Sequence, residues 1–101
     1  MATPDASELD LRYARSERMI GRDVGGEFIL VPLAGRGADL DSVFNLNGVA
    51  AFIWHRLDGT RTGRDVVEAL TEAFTVDRSQ AEEDYLALLA QLLEIGAVRA
   101  K

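Results

Sequence analysis

The chain has 101 residues, 48% of them hydrophobic and 28% charged, which fits one globular domain with a single core and excludes disorder over the whole length. A net charge of −6 argues against nucleic acids and anionic membranes as partners, because proteins bind these polyanions through Lys and Arg. The absence of cysteine excludes disulfides, thiolate metal sites and a cysteine nucleophile. No run approaches the roughly 20 apolar residues that span a bilayer, and the N-terminus lacks an export signal, so we expect a cytoplasmic protein.

The N-terminal segment differs in composition from the rest of the chain. Residues 1–16 are polar, and we predict a flexible arm there, followed by the folded domain over residues 17–101. Within the arm, Leu9, Leu11 and Tyr13 alternate with polar residues, a pattern that could pair with another segment as a strand.

Three strands are predicted next. Two short runs flank Gly25-Gly26, a dipeptide typical of a two-residue hairpin turn because glycine tolerates positive φ. Pro32 cannot donate a ladder hydrogen bond and therefore ends the second strand or lies at an edge. Residues 34–41 form a predicted loop, and residues 42–46 a third strand.

Three helices follow. Asn47 is a suitable N-cap for the first helix, which is predicted to reach about Leu57 and to stop at Asp58-Gly59. Thr62, with an acidic residue three positions later, predicts a capping box at the start of the second helix.

The third helix has two candidate starts. Ser79 and Glu82 have the spacing of a capping box, whereas Asp77 competes with them as the N-cap. The helix is predicted to reach about Ile95 and to end at Gly96. The order β-β-β-α-α-α predicts an α+β fold with helix-turn-helix proportions.

No residue pattern indicates catalysis. His55 is the one histidine, and without a cysteine or a patterned acidic partner it is more typical of a packed or half-exposed helix residue. The clustered carboxylates in "AEEDY" fan around a helix instead of converging on a metal, and the glycines match no nucleotide-binding motif. We therefore predict that the protein is not an enzyme and has neither a cofactor nor a metal site.

The third helix and the third strand together predict a groove. Leucines and a tyrosine give the helix an apolar arc of roughly half its circumference, wider than the ~100° that a surface helix normally buries. Deep burial against the other helices is one interpretation, and an open groove along one shoulder of the arc is the other. Because only the hairpin can pair with the third strand in sequence order, one edge of that strand is expected to be free and able to accept an incoming strand.

The succession "LNGVAAFIWHRLDGTRTGRDVVEAL", residues 46–70, resembles the signature of PqqD-like proteins, also called recognition elements of ribosomally made, post-translationally modified peptides. Its recurring parts, in chain order, are Leu46-Asn47, Ala50 or Ala51, Ile53-Trp54, Asp58-Gly59, Thr62 and Val66. With the hairpin and the leucine-rich last helix, the resemblance covers about residues 17–99.

The resemblance implies a winged helix-turn-helix fold, with a three-stranded antiparallel sheet followed by three helices. It also implies a non-catalytic chaperone that binds the leader segment of a precursor peptide as an extra strand on the third strand, packed against the last helix. The implied peptide-binding residues are Val43, Phe44, Asn45 and Leu46 on the strand, and Glu82, Tyr85, Leu86, Leu89 and Leu93 on the helix. The implied architectural residues are Asn47, Trp54, Asp58, Gly59 and Thr62.

The implied partners are the precursor peptide and a peptide-modifying enzyme, often a radical enzyme that uses S-adenosylmethionine in this family. Members dedicated to pyrroloquinoline quinone commonly carry a cysteine where this chain has Leu57, so the resemblance supports the wider family better than a role in making that cofactor.

Two other functions stay open at this point. A DNA-binding winged helix would share the scaffold, but it needs Arg or Lys along its recognition helix, and the last helix opens "RSQAEEDYLALL" with three consecutive acids. A structural subunit of a maturase complex is the other function. The arm, with "LDLRY", could also occupy the free edge within a homodimer.

Overall fold

The computed structural model describes residues 6–33 and 44–101. The predicted loop over residues 34–41 and the start of the predicted third strand, Val43 included, lie outside the described residues. Ten elements follow one another along the chain: a 3-10 helix at Ala6–Asp10, β1 at Arg12–Arg15, β2 at Met19–Val24, β3 at Glu27–Pro32, β4 at Phe44–Leu46, α1 at Gly48–His55, β5 at Asp58–Thr62, α2 at Gly63–Ala73, α3 at Arg78–Glu94 and β6 at Val98–Ala100.

The strands form two three-stranded antiparallel sheets, which combine with three helices into a mixed fold. One sheet has the order β2-β3-β4 and corresponds to the three strands that the sequence predicts. The other sheet has the order β5-β1-β6, so its central strand comes from the N-terminal segment. The predicted order of a hairpin, a third strand and three helices is confirmed, and the second sheet is an addition to it.

The β2–β3 hairpin turns at the predicted dipeptide. Gly25 and Gly26 have φ values of 60° and 86°, and positive φ at both central residues is the requirement of the turn that best matches strand twist. The register places Gly21 beneath the aromatic ring of Phe28 and the indole of Trp54. A Cβ at Gly21 would lie 2.7 Å from Phe28 Cε2 and 2.9 Å from Trp54 Nε1, so the two rings fill the space that a side chain would take.

The prediction of an arm over residues 1–16 does not agree with the described part of that segment. Leu9 and Tyr13 are only 2% and 3% exposed, and β1 pairs with β5 on one edge and with β6 on the other. The alternation of apolar residues indicated that β1 could form a strand. Its partners β5 and β6 were not predictable, because by sequence Asp58–Thr62 resembles a turn and Val98–Ala100 a short tail.

Local capping interactions set the helix boundaries close to the predicted ones. Asn47 Oδ1 accepts a 2.8 Å hydrogen bond from the Ala50 N–H at the start of α1. A reciprocal capping box joins Thr62 and Asp65 at the start of α2, as predicted. At α3 the N-cap is Asp77, whose carboxylate accepts from the Gln80 N–H, and the predicted Ser79–Glu82 box is wrong because Ser79 already lies inside the helix.

The core lies among the two sheets and the three helices, and it has no buried polar or charged residue among those described. Its largest fully buried side chains are Leu30, Ile53, Leu57, Val66, Val67, Leu70, Tyr85, Leu89 and Leu92. Arg15 ties β1 to the end of α1, where its Nη1 donates to the carbonyls of Trp54 at 3.0 Å and His55 at 2.9 Å. These carbonyls belong to the last turn of the helix, which favours a cation.

Two glycines in equivalent positions test this packing, since Gly48 and Gly63 are the first residues of α1 and α2. A Cβ at Gly63 would lie 2.9 Å from the backbone Cα of Leu9, which cannot rotate away, so Gly63→Ala should destabilise the protein by about 1–3 kcal/mol. A Cβ at Gly48 meets nothing within 4 Å, and Gly48→Ala should be neutral or stabilising by up to about 1 kcal/mol. Denaturant unfolding of both variants measures the difference, and equal midpoints would contradict the close approach.

Candidate functional site

Among the described residues, strand β4 has one partner strand, β3. Phe28, Ile29 and Leu30 of β3 pair with Leu46, Asn45 and Phe44. The opposite edge of β4 faces no strand in residues 6–33 or 44–101. Along this edge, backbone N–H and C=O groups are available to an incoming strand.

A groove of about 280 Å³ adjoins the end of β4 and runs between α1 and α3. Its lining residues come from all three elements: Asn45, Leu46, Asn47, Val49, Ala50, Ile53, Asp84, Ala87, Leu88 and Gln91. The α3 contribution has the spacing i, i+3, i+4, i+7, which is one face of a helix. Six of the ten lining residues are aliphatic and the other four carry amides or a carboxylate, so the groove surface is part apolar and part polar.

Three of the four strand residues of the predicted site are described by the structure, and their role in peptide binding stays a prediction. Asn45 is exposed and Leu46 is buried, and both line the groove. Phe44 is half-buried and packs against the core. Val43 lies outside the described residues.

The helix residues of the predicted site do not line the groove. Tyr85 and Leu89 are each 1% exposed and belong to the core. Glu82, Leu86 and Leu93 lie on the other shoulder of α3: Leu93 is nine residues after Asp84, or about two and a half helical turns, which places it on the opposite side. The apolar arc was readable from the sequence, whereas the shoulder that faces β4 depends on how α3 packs. A role for these five residues in peptide binding stays a prediction.

The groove residues of the two helices were not predicted from the sequence. On α1, the available signal was the run "GVAAFIW", which makes the helix apolar around most of its circumference. Part of that surface, Val49 and Ala50, is only half-buried and opens into the groove. On α3, the signal was the same-face spacing of Asp84, Ala87, Leu88 and Gln91.

His55 is exposed near the end of α1, and its ring meets the edge of Phe28 with the centroids 4.9 Å apart. No group of three or more His, Asp or Glu side chains able to hold a metal occurs in the described residues. Within the same residues, no helix combines the length and the apolar character that crossing a membrane requires.

The motif residues cap helices, pack in the core and fix the start of β5. Asn47 caps α1, Trp54 is 3% exposed, and Thr62 caps α2. Asp58 is the first residue of β5, and its side chain bonds to residues of the same strand: its Oδ1 accepts from the Thr60 N–H at 3.0 Å and the Thr60 hydroxyl at 2.7 Å, and its Oδ2 pairs with Arg61 at 2.6 Å. Gly59 follows with φ of 85°, a value that L side chains rarely adopt.

The two tyrosines of the core are held in the neutral form. Burial raises the pKa of Tyr85 to about 12. Burial, together with the hydrogen bond that its hydroxyl donates to the Glu8 carboxylate, also raises the pKa of Tyr13. Both phenols therefore stay protonated near neutral pH and act in packing.

A strand edge beside a groove with aliphatic and polar lining residues is an arrangement by which a small domain can hold an extended polypeptide. The family model for coenzyme PQQ synthesis protein D (PqqD) matches residues 15–98 of this chain. Because the match spans more than half of the sequence, the chain belongs to the PqqD family. No curated protein matches it significantly.

Two solved structures are similar to the chain. The structure described as "Lasso peptide synthetase B1 complexed with the leader peptide" has 27% identity and a TM-score of 0.71, and the match covers 87% of this chain and 98% of that one. The structure described as "TbiB1 in Complex with the TbiA(beta) Leader Peptide" has 22% identity and a TM-score of 0.69, with 85% and 94% coverage. The second match shows similarity of fold alone.

The hydrogen bonds that Asp58 accepts predict a measurable change in its pKa. The backbone N–H and then the hydroxyl of Thr60 hold the pKa of Asp58 below its ordinary value of 3.8. A lowered folded-state pKa means that ionised Asp58 stabilises the fold above its unfolded pKa, and that this stabilisation is lost as the pH falls through the folded pKa. Thr60→Val removes the hydroxyl bond and should move the pKa of Asp58 upward, part of the way to the ordinary value.

Carboxyl NMR titration of Asp58 measures this shift. Thr71→Val is the control, because the Thr71 hydroxyl donates to the Glu68 carbonyl and not to Asp58. An Asp58 pKa that is the same in the wild type and in Thr60→Val would show that the hydroxyl bond does not affect ionisation.

Proposed function

We propose that this protein is a non-catalytic peptide chaperone that captures the leader segment of a ribosomally synthesised precursor peptide. The leader would add to the free edge of β4 as an antiparallel strand and place side chains in the adjoining groove. The observation that carries the proposal is the edge of β4 that no strand of the described residues pairs with, next to a groove that is partly aliphatic. The similar structure at 27% identity, which is described as a complex with a leader peptide, supports it.

The free energy that binding requires indicates that the edge of β4 and the groove must act together. Micromolar affinity corresponds to about 8 kcal/mol. Each ladder hydrogen bond contributes a net ~0.5–1.5 kcal/mol, and the described part of β4 offers three residues. Apolar side chains, at roughly 1.5–3 kcal/mol for each one fully buried, must supply the rest and offset the ordering of a disordered leader.

The chaperone would act by tethering. A bound leader keeps the attached core peptide at a high effective concentration near a peptide-modifying enzyme, with no chemistry by the chaperone itself. We propose a radical enzyme that uses S-adenosylmethionine as one class of such partner, as the family resemblance implies. The resemblance also implies that the scaffold of the chaperone itself is a winged helix-turn-helix.

Two alternatives are less well supported by the residues. DNA binding would need cations on the exposed face of a recognition helix, whereas α3 begins with one arginine followed by Glu82, Glu83 and Asp84. The other alternative is a homodimer in which the N-terminal segment of one copy pairs with the β4 edge of the second copy. Strand β1 is not available for this pairing, because both of its edges are already paired within the chain.

The groove can be tested by filling it. Ala87 is exposed and lines the groove, so Ala87→Trp should occupy the space of the incoming side chain and weaken leader binding by about tenfold or more. Leu93→Trp introduces the same ring on the opposite shoulder of α3 and should change affinity by less than about twofold. Titration of a fluorescent leader from the precursor encoded beside this gene measures both.

Stronger loss in Leu93→Trp than in Ala87→Trp would show instead that the leader binds along Glu82, Leu86 and Leu93. Unfolding midpoints of both variants separate loss of binding from loss of fold. No binding by the wild type would contradict the proposed function.

Strand addition to the edge of β4 can be tested with modified leader peptides. In an antiparallel ladder, the residues of a strand alternate in which neighbour they hydrogen-bond. Single N-methyl substitutions along the leader should therefore weaken binding at every second position opposite β4 and leave the positions between them nearly unchanged. Equal effects at successive positions would contradict strand addition while leaving side-chain docking in the groove intact.

A further inference from the structure

The groove beside β4 contains one charged side chain among its lining residues, Asp84. The carboxylate lies on α3 and is half-buried. On the same face of the helix, Ala87 and Leu88 line the groove beyond it. A ligand that fills the apolar part of the groove therefore comes close to this carboxylate.

Asp84 has no cation partner among the described residues. Its Oδ1 accepts a 2.9 Å hydrogen bond from Gln80 Nε2, which is neutral. The ion pairs of the described chain join Arg61 to Asp58, Arg64 to Asp10 and Arg78 to Glu82. Glu82, two residues before Asp84, thus has a cation partner on the same helix, whereas Asp84 lines the groove without one.

Covering the groove changes the environment of this charge. A polypeptide laid across α1 and α3 removes water from the Asp84 carboxylate. A carboxylate that loses its water without gaining a cation is strongly destabilising, whereas a Lys or Arg with good geometry offsets that loss. The net charge of −6 also favours the approach of a basic segment.

The distance between Asp84 and Leu88 along α3 indicates which residue of the peptide would carry the cation. Asp84 and Leu88 are one helical turn apart, about 6 Å along the axis of α3. Alternate residues of an extended strand, which lie on the same face, are about 6.7 Å apart. A strand that follows α3 and places an apolar side chain over Leu88 therefore brings the side chain two residues away to Asp84.

We propose that the peptides bound by this groove carry a Lys or Arg two residues from an apolar anchor residue, and that the cation pairs with Asp84. The inference rests on the proposed function and specifies its substrate class. Asp84 would be the residue that determines the charge preference, while the aliphatic lining of the groove selects the anchor.

Selection from a random linear peptide library displayed on phage tests the proposal without a known ligand. The wild type should enrich Lys or Arg two positions from an apolar residue. Asp84→Lys should enrich Asp or Glu there instead. Glu83→Lys is the matched control, because it makes the same charge change on the neighbouring residue, which is exposed and does not line the groove, and it should keep the wild-type preference.

The affinity of one selected peptide for different variants then tests the pairing between its basic residue and Asp84. Replacing its basic residue with Gln should weaken binding to the wild type by about tenfold and to Asp84→Asn by less than about twofold. Equal losses in both proteins, or a basic preference that survives in Asp84→Lys, would overturn the charge pairing while the proposed function stands. Enrichment of no peptide by the wild type would instead count against the proposed function, and the charge pairing would fail with it.

Discussion

The corner at Asn47 is the constraint on which the binding surface depends. β4 ends at Leu46, and the carboxamide of Asn47 takes up the Ala50 N–H, so the chain enters α1 immediately after the strand. An N-cap of this kind satisfies one of the donors that a helix start leaves unpaired. Because the turn is so short, α1 lies beside the end of β4 and forms one wall of the groove, and α3 packs against α1 to form the other.

The second sheet supports this arrangement from the other side of the core. β1 lies between β5 and β6, and so it connects the turn after α1 to the segment after α3. Arg15 extends the connection to the carbonyls at the end of α1. Leu9 and Tyr85 close around Gly63 so tightly that α2 must begin with a residue lacking a side chain. The N-terminal segment is therefore part of the framework that holds α1 and α3 in place.

Three residues of β4 lie in the described part of the chain, and their backbone limits what strand pairing there can contribute. Main-chain hydrogen bonds to these three residues carry little sequence information and limited free energy. Selectivity then depends on the side chains that enter the groove, where aliphatic groups favour an apolar anchor and a single carboxylate favours a cation. A free edge alone would accept many strands, and the groove beside it is what can distinguish them.

The sequence by itself determined the local features: the hairpin at Gly25-Gly26, the caps at Asn47 and Thr62, the apolar arc of α3 and the family to which the chain belongs. The hairpin and the caps depend on residues within about four positions of one another, where hydrogen bonds and backbone preferences act without the rest of the molecule. The apolar arc and the family signature are longer patterns of residue types, which the sequence shows directly. Only the tertiary structure decided the pairing of β1, β5 and β6, and which shoulder of α3 faces β4. Strand partners 40 or more residues apart, such as Ala14 and Asp58, and the rotation of an apolar helix about its axis are set by packing of the whole core, which no local pattern records.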